Sequence, residues 1–321
     1  MVKNNSNHNL NKSVSVNNRN TRKESSQETL KIIRDKVYKT KNGNWVDISK
    51  QINESIDQCK FYKYDSFETI LKSVDEKLKN LQYETQIHVL NQTSLEGCVE
   101  LIDIFNYPEK SGTKIACLNF ASSKNPGGGF LGGSLAQEES LAISSSLYPT
   151  LIKFQKEFYD YHMSLKKSYI CSDSMIFSPN VVVFKDDNLQ LLEKPYQICI
   201  ITSPAANKSA IKTNNPSELV LIQDVMMQRI DKMLGLLVEH EVEYLVLGAW
   251  GCGVFGNSSE EVSSFFAKYL LNDGKYSRAF KYIVFSIKGG GDNFQNFKEK
   301  FTPNKQVPVI PQQTTSTTTT Q

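Results

Sequence analysis

Two segments hold the residues that could do chemistry. The first, Asn125-Pro126-Gly127-Gly128-Gly129-Phe130-Leu131-Gly132-Gly133-Ser134-Leu135-Ala136-Gln137-Glu138-Glu139, sets a triple glycine shortly before two adjacent carboxylates. The second is Gly248-Ala249-Trp250-Gly251-Cys252-Gly253-Val254-Phe255-Gly256-Asn257. Glycine lacks a β-carbon, so successive backbone N–H groups can wrap an anion, and such loops often feed a helix N-terminus whose dipole favours negative charge. Both loops suit a diphosphate, and the two carboxylates suit acid/base work on an attached sugar.

Each loop also satisfies G-x-G-x-x-G, at Gly127, Gly129 and Gly132 and at Gly251, Gly253 and Gly256. A dinucleotide-binding unit needs an acidic residue about 20 positions further on to hold the ribose hydroxyls. After the first loop that region reads Ser146-Leu147-Tyr148-Pro149-Thr150, with no acid. After the second it holds Asp273, in a Leu271-Asn272-Asp273-Gly274 run that reads as a helix end. A nicotinamide-dependent oxidoreductase is disfavoured.

The elements that must position these loops come from the pattern of the whole chain. At 321 residues with 39% hydrophobic content, it can bury a substantial core. Its six cysteines form no C-x-x-C pair and no apolar leader precedes the first loop, which predicts reduced thiols in a cytoplasmic or nuclear protein. No apolar run reaches the roughly 18 to 20 residues a membrane span needs. A net charge of +3 is too small to predict nucleic-acid binding. The four histidines share no metal-ligand spacing, so neither a metal nor a cofactor is expected.

Residues 1–21 are Asn/Ser-rich and residues 303–321 Thr/Gln-rich, both predicted to be disordered arms around one domain over 22–302. Strand-like runs fall at Gln86 to Leu90, Lys114 to Phe120, Asn180 to Phe184, Gln197 to Thr202, Tyr244 to Leu247 and Tyr282 to Ile287. Leu219, Ile222, Met226, Ile230, Met233 and Leu237 recur at helical steps after Asn215-Pro216, which predicts a long amphipathic helix capped there. The alternation predicts an α/β fold with helices on both faces of a mixed, largely parallel sheet. Both glycine loops then follow strands, at the carboxyl edge where such sheets bind ligands.

The triple glycine with Gln137-Glu138-Glu139 resembles the catalytic motif of the microbial-type poly(ADP-ribose) glycohydrolases, a branch of the macrodomain superfamily. The second loop is similar to that family's diphosphate loop. Further similarity lies in Leu118-Asn119-Phe120-Ala121-Ser122, Ser145-Ser146-Leu147-Tyr148-Pro149, Ser178-Pro179-Asn180-Val181-Val182-Val183-Phe184 and Ile201-Thr202-Ser203-Pro204-Ala205. The resemblance implies a macrodomain-like three-layer α/β/α fold with an N-terminal helical extension. It implies Glu139 as the catalytic residue, Glu138 as its partner at the ribose, Asn125 at the terminal ribose and Phe255 over the bound ADP-ribose. Gly127, Gly128, Gly129, Gln137, Gly251, Cys252, Gly253, Val254, Gly256 and Asn257 complete the expected ligand-binding set. Lys288-Gly289-Gly290-Gly291-Asp292 matches no motif of the family.

Hydrolysis of a ribose–ribose O-glycosidic bond needs an acid for the leaving oxygen, a base for water and stabilisation of an oxocarbenium-like centre. Neighbouring helical residues point about 100° apart, so Glu138 and Glu139 can flank a sugar but not oppose each other across the bond. The reading is therefore a poly(ADP-ribose) glycohydrolase in which Glu139 serves both proton roles in turn. The substrate partner is poly(ADP-ribose) or ADP-ribosylated protein, with no membrane and no sequence-specific nucleic acid. A bland alternative is that Ser134-x-x-Gln137 is a capping box that merely starts a helix. A non-catalytic ADP-ribose binder and a mono-ADP-ribosyl hydrolase are the competing functions. Trp250 reads as core, and nothing beside Cys252 would activate its thiol.

Overall fold

The computed structural model describes residues 16–105, 114–165 and 168–302; the expected disordered stretches 1–15 and 303–321 lie outside them. The chain opens with helix α1 (Arg19–Asp35), hairpin β1 (Val37–Lys39) and β2 (Trp45–Asp47), α2 (Ser49–Gln58), β3 (Lys60–Tyr62) and α3 (Phe67–Leu78). Next come β4 (Gln86–Leu90), α4 (Ser94–Phe105), β5 (Ile115–Phe120), α5 (Gln137–Ser144), α6 (Leu147–Ile152) and α7 (Tyr161–Ser164). Strands β6 (Met175–Lys185) and β7 (Leu191–Ser203) form a hairpin, followed by α8 (Lys208–Asn214) and α9 (Ile222–Glu239). The chain closes with β8 (Tyr244–Leu247), α10 (Ser259–Leu270), β9 (Tyr282–Ser286) and α11 (Asp292–Phe301).

Seven strands form one sheet in the order β3-β6-β7-β5-β8-β9-β4. From β7 to β4 every neighbouring pair is parallel, while β6 and β3 run antiparallel. The central strands are buried on both faces, so their side chains divide by parity. Ala116, Leu118, Leu245, Leu247, Ile283 and Phe285 pack with α3, α9, α10 and α11. Ile115, Cys117, Val246 and Val284 face α4, α5 and α6. This is the expected three-layer α/β/α arrangement, and the period of two in the strands produces it.

Differences from the sequence reading are local. Asn18 caps α1 through its side chain, accepting from Asn20 N–H at 2.9 Å, so helix begins ahead of the expected boundary at residue 21. The stretch Pro216–Leu221 is a 3-10 turn and the α-helix proper starts at Ile222; the Asn215 side chain accepts from Ser217 Oγ rather than capping the helix. The short strands β1, β2 and β3 and the first half of β6 lack an alternating apolar pattern long enough to have been read.

Helix α1 lies outside the sheet and is fastened to the segment that carries Glu138 and Glu139. Lys185, fully buried in β6, donates to Ser25 O, Ser25 Oγ and Thr29 Oγ1 and pairs with Glu28 at 2.8 Å. Thr29 in turn donates to the Ile143 carbonyl near the end of α5. Arg19 and Arg22 donate to the carbonyls of Gly132 and Gly133 at 2.9 and 2.8 Å. The glutamate-bearing stretch is thus bracketed from both ends.

Candidate active site

A cavity of about 840 Å³ opens at the carboxyl edge of the sheet, a size typical of small-ligand sites. Strand β5 delivers the first glycine loop to it and β8 the second. Glu138 and Glu139 both line it, from the first turn of α5.

Their environments differ. Glu138 is 3% exposed; its Oε2 accepts from Ser122 N–H at 2.6 Å and its Oε1 from Asn119 Nδ2 at 3.2 Å. Burial pushes its carboxyl up to about 8, with the Glu139 charge adding to the rise and the N–H groups of Ser122, Asn119 and Gly127 opposing it. The donors favour the anion and desolvation favours the acid; full burial decides for the acid. Below that pH the pair does not carry two adjacent negative charges. Glu139 has its Oε1 pinned by Gly129 N–H at 2.8 Å, whereas its Oε2 is buried with no partner among the described residues. An unpaired carboxylate oxygen at a cavity wall is costly unless a ligand uses it.

In the first loop the glycine N–H groups have partners within the chain. Gly128 N–H goes to the Asn125 carbonyl, Gly129 N–H to Glu139, and Gly127 N–H faces Glu138. Its glycines hold the two carboxylates. Gly128 has φ +62°, and a Cβ there would stand 2.9 Å from Glu139 Cδ and 3.2 Å from Glu138 Oε2. Only glycine allows the loop to close this tightly over both acids. Gly127 and Gly129 shape the turn without lining the cavity, and Asn125 is exposed and also outside the lining, so the expected ribose contact of Asn125 is absent from this arrangement.

Gln137 likewise has a different task from the expected ligand contact. Although it lines the cavity, its Oε1 accepts from Phe120 N–H at 2.9 Å and its Nε2 donates to Leu118 O at 2.7 Å and Ser94 Oγ at 3.0 Å. The amide ties α5 to the end of β5. The capping-box reading also fails: Ala136 is the N-cap of α5, without a side-chain bond, because Ser134 lies back against Gly129.

The second loop has the geometry of an anion cradle. Gly251, Gly253, Val254 and Phe255 line the cavity. Among the described residues, the N–H groups of Gly253, Val254 and Phe255 have no hydrogen-bond partner. Three successive free donors form the kind of concave nest that receives phosphate oxygens. Cys252, Gly256 and Asn257 do not line the cavity. Asn257, 6% exposed, donates to Ala206 O at 2.8 Å and Gly251 O at 3.0 Å. Gly256 supplies a turn at φ +69°, and burial pushes the Cys252 thiol up to about 12, which leaves it un-ionised. Trp250 is core, its Nε1 donating to Ser203 O at 3.0 Å. Phe255 is half-buried against the main core and presents its remaining surface to the cavity.

Several lining residues escaped the sequence reading, notably Arg22, Ser122, Asp187 and Lys288. Asp187 sits at the tip of the β6–β7 hairpin, accepts from Thr93 Oγ1 at 2.7 Å, and is held above the usual carboxylate range by burial. The Asp186-Asp187-Asn188 turn composition after a strand was a readable sign of that hairpin. Lys288, from the glycine run that matched no motif, forms part of the wall beside β9.

Comparison with known proteins agrees with this geometry. Residues 26–186 match the family model described as microbial-type PARG, catalytic domain. No curated protein sequence matches. Among solved structures, poly(ADP-ribose) glycohydrolase from Thermomonospora curvata bound to the inhibitor ADP-HPD is 34% identical, with a TM-score of 0.78 over 88% of this chain and 100% of that one. A glutamate-to-alanine variant of the same protein gives the same values. The glycohydrolase from Deinococcus radiodurans in complex with ADP-ribose is 30% identical, with a TM-score of 0.69 over 78% of this chain and 96% of that one. A family match over half the chain, and a 34% identical structure aligned along its whole length, make this chain a member of the microbial-type poly(ADP-ribose) glycohydrolase family.

Proposed function

We propose that the chain hydrolyses poly(ADP-ribose) at ribose–ribose O-glycosidic bonds, releasing ADP-ribose, with Glu139 as the acid/base. The observation that carries this is the unpaired, buried Glu139 Oε2 at the cavity wall, with its other oxygen fixed by Gly129. Protonated Glu139 gives its proton to the departing 2′-oxygen as the anomeric C–O bond breaks. The resulting carboxylate then takes a proton from water as the water oxygen bonds to the anomeric carbon. Glu138, neutral at pH 7, offers a hydrogen bond to the sugar hydroxyls. The nest at Gly253–Phe255 receives the diphosphate.

The terminal ribose thus rests between loop and helix, while the diphosphate is anchored beyond the end of β8. Six free cysteines support a reducing compartment, cytoplasmic or nuclear. Among the described residues no helix is long and apolar enough to cross a membrane. Incubation with purified polymer tests the activity: free ADP-ribose is the expected product, and binding without release would make the chain a reader.

A further inference from the structure

The wall of the cavity carries two cations, Arg22 and Lys288. The second glycine loop lies on the α9/α10 face of the sheet, tied to Ala206 and Ser209 after β7, while Lys288 follows β9. Arg22 reaches the cavity from the other flank. It sits on α1, which packs on the opposite face, where Leu30 lies with Ala142 and Ile143 of α5 and Thr29 donates to the Ile143 carbonyl. A diphosphate seated in the nest therefore leaves Arg22 without an anion.

That is a costly position for a guanidinium. Arg22 is only 9% exposed, and no carboxylate of the described residues forms an ion pair with it. Its Nε–H goes to the Gly133 carbonyl and one Nη1–H to the Val16 carbonyl, both at 2.8 Å. A guanidinium has five N–H donors, so three have no partner among the described residues, and Arg22 lines the cavity. Buried charges are normally paired, because removal from water is costly. The two carbonyls fix the fork in place ahead of any ligand, and such a fork is suited to two phosphate oxygens at once.

We propose that Arg22 forms a second anion subsite, which binds the diphosphate of the departing polymer unit, the one whose ribose supplies the 2′-oxygen. This rests on the reading of the cavity as a poly(ADP-ribose) site and names the part of it that distinguishes polymer from monomer. The terminal unit's diphosphate lies in the nest on the α9/α10 face, the scissile bond at Glu139, and the leaving adenosine diphosphate toward α1 on the α5 face. A residue in the N-terminal helix, outside the sheet, thereby reads the neighbour of the unit being released.

The test is a binding comparison in the Glu139→Gln background, so that no turnover intervenes. Dissociation constants for ADP-ribose and for the ADP-ribose dimer are measured by calorimetry at low and high salt, with Arg22, Arg22→Gln and Arg22→Lys. The subsite predicts about ten-fold tighter binding of dimer than monomer, with the preference shrinking as salt rises. Arg22→Gln removes the preference while changing monomer affinity less than two-fold, and Arg22→Lys keeps part of it because the charge remains. A parent protein that binds dimer and monomer equally overturns the proposal. So does Arg22→Gln that weakens both ligands alike, which would make the guanidinium a brace for Gly133 only. If the wild type binds the dimer better yet releases no ADP-ribose from polymer, the hydrolase reading fails and the subsite stands.

Discussion

Glu138 and Glu139 are joined by one peptide bond and both line the cavity, but one carboxyl is buried and hydrogen-bonded to Ser122 and Asn119 while the other is left half-satisfied. The buried one has a measurable signature. An unfolded glutamate titrates near 4.5 and the folded Glu138 near 8. Between those values the folded chain retains a proton that the unfolded chain has lost, so this residue's contribution to stability is full below 4.5 and falls as pH rises to about 8. Glu138→Gln removes that titration. Thermal melts from pH 4.5 to 9 should show the variant gaining on the wild type across the window and holding a constant difference above it; a difference independent of pH would contradict the assignment.

Gly128 belongs to the same scale. Alanine there meets a positive φ and the two carboxylates together. Gly128→Ala should cost about 1–2 kcal/mol of stability, read by chemical denaturation, and lower turnover more than ADP-ribose affinity. Sequence made this glycine conspicuous but assigned it to phosphate. Which donor meets which acceptor depends on the path of α5, which a residue pattern does not encode. The same limit applies to Gln137, whose amide could be read as ligand contact or cap and is in fact a tie to β5.

At the scale of elements, the two glycine loops look alike in sequence and divide the work in space. The first spends its N–H groups within the protein, those of Gly127 and Gly129 on its two acids; the second keeps three free and is braced from behind by Asn257. Asn257→Ala removes the bonds to Ala206 and Gly251, worth about 1 kcal/mol each. ADP-ribose affinity measured by calorimetry should drop several-fold with a modest loss of melting temperature; unchanged affinity would separate the brace from the nest. The long apolar stripe of α9 and the central strands were legible because periodicity speaks directly to burial. Helix α1 was not legible as part of the site, since Arg19, Arg22 and Lys185 act through carbonyls and a buried charge more than 100 residues away in sequence.

For the whole molecule, the parallel strands from β7 to β4 bring both glycine loops to one edge, and the N-terminal helix packs against the first loop and α5 there. The fold class and both loops could be anticipated from sequence because strand alternation and glycine spacing are local. The cavity could not, because its wall is gathered from α1, the β6–β7 hairpin and the segment after β9 as well. In the proposed mechanism one carboxylate of this assembly, Glu139, turns polymer over. The direct measurement is release of ADP-ribose from purified poly(ADP-ribose) by the wild type and by Glu139→Gln, with ADP-ribose affinity determined for both. Release that falls roughly 10²- to 10⁴-fold in a variant still binding ADP-ribose is the predicted result. Undiminished release by Glu139→Gln would contradict it.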